Sequence, residues 1–221
     1  MLAVKIRDKT NPARLHIPMG NTAKLLYANP QTNADILYFG GFDAPDPFIA
    51  IGVGAKRYAV LSDLEYGRAR KADTRFTDIL SLTEVRQAAA KRFKERTADL
   101  TDTIRHLAAE LDISRMEIPS DFPAGLAFPL RAARIQLKVT DGPFLPEREA
   151  KTDEEAEKIR QGNAASAAGF AVVEKILKAA RVTRSGRLNW KNKPLTSEIV
   201  QKEIELALLE RGARSANTIV A

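Results

Sequence analysis

Apolar and polar positions follow two rhythms along this chain, and the change between them divides it. Up to about residue 145 short apolar runs alternate with helical patterns; beyond it the pattern is mostly helical. Residues 34–42, ADILYFGGF, read as a strand ending in the Gly40-Gly41 pair. After the turn signal DAPDP come FIAIGVG at 48–54 and RYAVLSD at 57–63, with Gly54 between them, which predicts a hairpin. Ahead of these, Met19 to Leu26 is expected as a short helix capped by Asn21 or Thr22. Thr77 to Leu82 reads as a short strand, and Thr83 to Ala98 has helical composition. From Leu100 onward, Ile104, Leu107, Ala108 and Leu111 share one helical face, with Asp99 or Thr101 as cap. RMEIPSDFP at 115–123 is a strand stopped by Pro119 and Pro123. A helix follows from Pro123 or Ala124 to about Ala133, and QLKVTDG at 136–142 returns as a strand. Strand, helix, strand, helix, strand in this order predicts an α/β fold, with parallel pairing in a mixed sheet flanked by helices.

GPFLPERE then marks a linker, and two domains are expected, 1–147 and 148–221. In the second, Thr152 and Glu155 have the spacing of a capping box. From there to about Ala180 no proline interrupts, and Ala156, Ile159, Phe170, Val173, Leu177 and Ala180 recur at helical spacing. One helix of roughly 28 residues follows from that pattern. TRSGRLNWKNKP reads as a loop. Thr196 then caps a second helix, with Val200, Ile204, Ala207 and Leu208 on its apolar face and Gly212 just past its end. NTIVA at the end reads as the start of a strand. The apolar faces of both helices therefore need strands that these residues do not supply, leaving an exposed apolar patch that favours association.

Composition narrows the classes. The chain has 221 residues, 44% hydrophobic and 29% charged, enough for a packed core and a solvated surface. There is no cysteine, which excludes disulfides and thiolate metal sites. No run of about 20 apolar residues occurs, so no membrane span and no membrane partner are expected, and a cytoplasmic location is the reading. A net charge of +7 invites a nucleic-acid partner. Its Lys and Arg residues are scattered among acids, however, as at Arg92, Lys94, Glu95 and Arg96, and only 6% of the chain is aromatic. Nucleic acid is not expected as the main partner.

Candidate chemistry is sparse. His16 and His106 belong to no metal-binding spacing and read as surface or packing residues. Ser62 and Ser120 lack a histidine partner and a GxSxG elbow, and the glycines at 40–41, 52 and 54 match neither GxGxxG nor a P-loop. Asp63, Asp121 and Asp141 each follow a strand-like run, with Glu65 near the first. Carboxylates at strand ends can hold Mg²⁺ for phosphodiester cleavage, but they also end strands and cap helices, and the second role is the expected one here.

Taken in order, DILYFGGF at 35–42, VLSDLEYGRA at 60–69, VTDGPFLPEREAKTDEEAEKIRQG at 139–162, LTSE at 195–198 and the terminal RGARSANTIVA resemble Xaa-Pro peptidases of the prolidase and aminopeptidase P type. The resemblance implies a creatinase-like N-terminal domain over residues 1–147 and the first helices and strand stub of a pita-bread domain over 148–221. It implies hydrolysis of the bond before proline in di- or oligopeptides by two divalent metal ions, Mn or Zn, in a homodimer. The metal ligands of that family, two aspartates, a histidine and two glutamates, lie downstream of what these residues match. The chain is therefore expected to bind no metal cofactor and to be inactive alone, its catalytic site incomplete. The resemblance further implies that the N-terminal domain gates access and supports dimerisation. Gly40, Gly41, Phe42, Asp43, Asp46 and Phe48 form the candidate substrate-access loop, the glycines allowing a tight turn and the phenylalanines facing a prolyl ring. The domain core is the favoured place for Phe42 and Phe48, because aromatic residues at strand ends usually pack inward. A non-catalytic module of the same fold, binding peptides or proteins, is the alternative.

Overall fold

The structure, a computed structural model, describes residues 21–215 and 218–220. The chain divides into two units, Met1–Arg148 and Glu149–Ala221. Described strands of the first are β1 (Asn21–Ala28), β2 (Phe48–Val53), β3 (Lys56–Leu61), β4 (Asp78–Ser81), β5 (Ile113–Ile118) and β6 (Gln136–Val139). Its helices are α1 (Ala34–Gly40), α2 (Asp63–Ala69), α3 (Leu82–Phe93), α4 (Leu100–Glu110) and α5 (Ala124–Ala132).

The strands form one mixed sheet in the order β4-β3-β2-β1-β5-β6. β2 runs antiparallel to β1 and β3, whereas β3/β4, β1/β5 and β5/β6 are parallel. Helices cover both faces. On one, Leu25, Ile49, Ile51 and Met116 pack with Val85 of α3, Ile104 of α4 and Leu130 of α5. On the other, Leu26, Ala50 and Leu61 pack with Ile36 and Phe39 of α1, Ala69 of α2, and Phe144 and Leu145. The mixed sheet flanked by helices is the architecture expected from the sequence. Phe144 and Leu145 belong to this core, although the surrounding residues read as linker.

Two elements differ from expectation. Residues 21–26 form a strand, not a helix: successive Leu25 and Leu26 are 0% and 1% exposed on opposite sheet faces, as only a central strand allows. Each burial contributes about 1.5–3 kcal/mol, more than the helix propensity of so short a segment. Residues 34–40 form a helix, not a strand. The Asn33 side chain accepts from the amides of Asp35 and Ile36 at 3.0 and 3.1 Å, and Ile36, Phe39 and Gly40 then share the buried side. The 48–61 hairpin forms as predicted, with Gly54 at φ 57 in its turn. α4 carries a capping box between Asp99 and Asp102. α3 stops at Phe93, short of Ala98, because Lys94 turns left-handed at φ 57.

In the second unit α6 (Asp153–Ala179) runs 27 residues from a Thr152–Glu155 capping box. It packs on α7 (Ser197–Leu209). A β-carbon on Gly169 would meet Leu208 Cδ1 at 2.9 Å and Ile204 Cγ2 at 3.2 Å, so glycine permits this close approach. Thr196 precedes α7, but its side chain makes no bond to a helix amide; it bonds to the Glu198 carboxylate, holding that group below its ordinary pKa. The segment read as a loop instead folds into β7 (Arg181–Val182), β8 (Leu188–Trp190) and β9 (Lys193–Pro194), an antiparallel sheet. Lys191 and Asn192, at φ 50 and 63, make its two-residue turn. The strand expected in NTIVA is not found in 218–220, and residues 217 and 221 lie outside the described residues. Among the described residues no helix is long and apolar enough to cross a membrane.

Candidate functional site

The 40–48 segment is built from the end of α1. Gly41 adopts φ 64 just past the helix, and its amide donates to the Leu37 carbonyl at 2.7 Å. Gly40 is needed for a different reason: a β-carbon there would lie 2.3 Å from Cζ of Phe76. Phe42 and Phe48 are 2% and 4% exposed and belong to the core, so in this conformation neither faces a ligand. The Phe48 ring meets Phe76 edge-on, centroids 6.0 Å apart, and the Arg68 guanidinium lies 4.2 Å from the centre of the Phe42 ring. Arg68 also donates to the Asp43 carbonyl and pairs with Glu65. The Arg75 amide donates to the Gly40 carbonyl at 2.8 Å, and Asn29 Nδ2 to the Pro45 carbonyl at 2.5 Å. The segment is thereby held by its backbone. What it presents outward is acidic: Asp43 and Asp46 are exposed, and no described residue bonds to either carboxylate.

Beside it lies a cavity of about 290 Å³ lined by Lys24, Phe39, Arg57, Glu117 and Glu147 among others, but by none of the six loop residues. Lys24 donates to the Phe144 carbonyl at 2.9 Å and sits 3.8 Å from Glu117, and Arg57 donates to the Phe39 carbonyl at 2.6 Å. Lys24, Arg57 and Glu117 lie in register on β1, β3 and β5 and so share one sheet face, but nothing in their individual sequence positions marks them.

The three aspartates do not form a metal centre. Asp63 opens α2 and accepts from Thr83 and Ser81 at 2.8 Å each; those bonds, Thr83 first, hold its carboxyl below the usual range. Asp121 accepts from Asn33 Nδ2 at 2.8 Å, tying the α1 cap to the end of β5. Asp141 is exposed in the turn after β6. Among the described residues no group of three or more His, Asp or Glu is arranged to hold a metal ion. The described residues therefore do not fit a two-metal site. His16 lies outside the described residues. His106 packs where α4 meets α3, its Nδ1 buried without a hydrogen-bond partner, and burial pushes its pKa down. Ser62 precedes α2 and Ser120 is exposed after β5.

This fold is that of the Xaa-Pro aminopeptidases and prolidases. An X-Pro aminopeptidase from Thermotoga maritima MSB8 superposes with a TM-score of 0.62 at 16% identity, over 86% of this chain and 47% of that one. An Xaa-Pro dipeptidase from Bacillus anthracis gives 0.60 at 17% identity, over 86% and 44%, and a prolidase from Pyrococcus furiosus 0.55 at 15%, over 86% and 45%. The chain thus spans less than half the length of these structures. No protein-family model and no curated protein matches it.

Proposed function

We propose that the chain is the N-terminal part of a dimetal Xaa-Pro peptidase, its first unit gating substrate access and supporting a homodimer. The observation that carries this reading is the similarity of fold, over 86% of the chain, to three such peptidases at once. The substrates are proline-containing di- or oligopeptides, and the two divalent ions, Mn or Zn, bind to residues outside this chain. Within the access loop the contribution falls to the carboxylates of Asp43 and Asp46, which bond to no described residue and suit the charged amino terminus of a peptide, because Phe42 and Phe48 are committed to the core. Gly40 and Gly41 set the path of the loop.

Purified residues 1–221 incubated with Xaa-Pro dipeptides and Mn²⁺ or Zn²⁺ test the reading. No release of proline is expected. Metal-dependent release would place a complete site within this chain and overturn the proposal.

A further inference from the structure

Most Lys and Arg residues of the chain stand among acids, but one stretch does not. Between residues 181 and 193 stand Arg181, Arg184, Arg187, Lys191 and Lys193, with no acidic residue. Without them 30 basic and 28 acidic residues nearly balance, so this short segment carries most of the +7. These are the residues that fold into the β7–β8–β9 sheet. None of the five forms an ion pair among the described residues. On α6 the pattern is opposite: Lys158 pairs with Glu154 at 2.8 Å, Arg160 with Glu157 at 2.9 Å, and Lys178 with Glu174.

The sheet also has an apolar face. Val182 pairs with Leu188 and Trp190 with Lys193, and residues 188 and 190 lie two apart, so Val182, Leu188 and Trp190 share a side. Val182 is 71% exposed and Leu188 36%, and the Lys191 ammonium sits 4.0 Å from the centre of the Trp190 ring. Aliphatic side chains, a tryptophan and unpaired cations on one small hairpin match the boundary between headgroups and acyl chains. There cations meet anionic headgroups, indole sits at the interface and aliphatics leave water. A single-stranded nucleic acid fits less well. It stacks successive bases on several aromatics, whereas this surface offers one ring, already covered on one side, and would leave Val182 and Leu188 in water.

We propose that the β7–β9 hairpin is a docking surface for a bilayer carrying anionic phospholipid. The lack of a long apolar run, which argued against a membrane partner, excludes a span but not this peripheral contact.

Trp190 is the only tryptophan in the chain, so its fluorescence reports on the hairpin directly. The 221-residue chain is titrated with vesicles of phosphatidylcholine alone, then with about 30% phosphatidylserine, a strongly anionic surface. Expected are a blue shift and co-sedimentation with the anionic vesicles only, weakening as salt rises. The variant R184S/R187S/K191N/K193T, in which Asn tolerates the left-handed turn, is expected to lose roughly 600-fold in partitioning, since each of the four basic residues contributes about 5-fold. V182S/L188S keeps the charges and is expected to lose roughly 10-fold and the blue shift. Far-ultraviolet circular dichroism establishes that each variant folds. The absence of any shift with anionic vesicles would overturn the proposal, as would undiminished binding by a folded variant of either kind. So would an oligonucleotide that quenches Trp190 at lower phosphate concentration than the vesicles shift it, which would make the surface one for nucleic acid.

Discussion

Gly40 shows how a residue chosen for space differs from one chosen for backbone freedom. Its neighbour Gly41 needs the left-handed region, whereas Gly40 is helical and leaves room for the Phe76 ring. Gly40→Val therefore forces a ring that also packs on Phe39 and Phe48 to move. A loss of about 1–3 kcal/mol in urea unfolding is expected, as for overpacked cores. His106 gives a prediction in pH. With Nδ1 buried and unpartnered, and with Glu110 and Arg92 as the charged groups around it, the folded state resists protonation. A histidine whose folded pKa is lowered binds protons more readily when unfolded, so its contribution is intact above the ordinary histidine pKa and is lost as pH falls from there through the lowered folded value. Melting temperature followed from pH 8 to pH 5 is expected to decline more steeply for the native chain than for His106→Leu. Parallel profiles would show that this ring does not titrate differently in the two states.

Among the elements, those marked by local chemistry were legible in the sequence and those decided by tertiary position were not. Asp99, Thr152 and Gly54 act through their own and adjacent backbone, so α4, α6 and the 48–61 hairpin stand where their patterns place them. Asp99→Ala is expected to cost about 1 kcal/mol, the usual value of an N-cap, measured by thermal unfolding. Apolar content alone does not separate strand from helix in segments as short as 21–28 and 34–40, where a helix over 19–26 and a strand over 34–42 were expected. Pairing with two neighbours makes the first a central strand, and the Asn33 cap makes the second a helix. β7–β9 was hidden by its polar composition, although Lys191-Asn192 as a two-residue left-handed turn is unusual enough that only the fold reveals it. The inward packing of Phe42 and Phe48 was legible, since aromatic side chains at such element ends usually turn to the core; that α1 is a helix was not.

For the whole chain, the resemblance seen in the ordered motifs and the fold similarity to Xaa-Pro peptidases agree, and the described residues hold no cluster of His, Asp or Glu arranged for a metal ion. The second unit leaves much apolar surface in water: Phe170 is 76% exposed, Leu209 67% and Leu177 50%. Association in sedimentation and binding of a hydrophobic dye are therefore expected, both reduced in Phe170→Ser. A monomer that binds no dye would contradict this. The central claim, that these residues belong to a longer dimetal peptidase, is tested most directly by sequencing the coding region beyond the codon for Ala221. An uninterrupted reading frame is expected that supplies, in order, two aspartates, a histidine and two glutamates as metal ligands. A stop codon at that point, or a continuation without those five ligands, would contradict it and leave a non-catalytic module of the same fold.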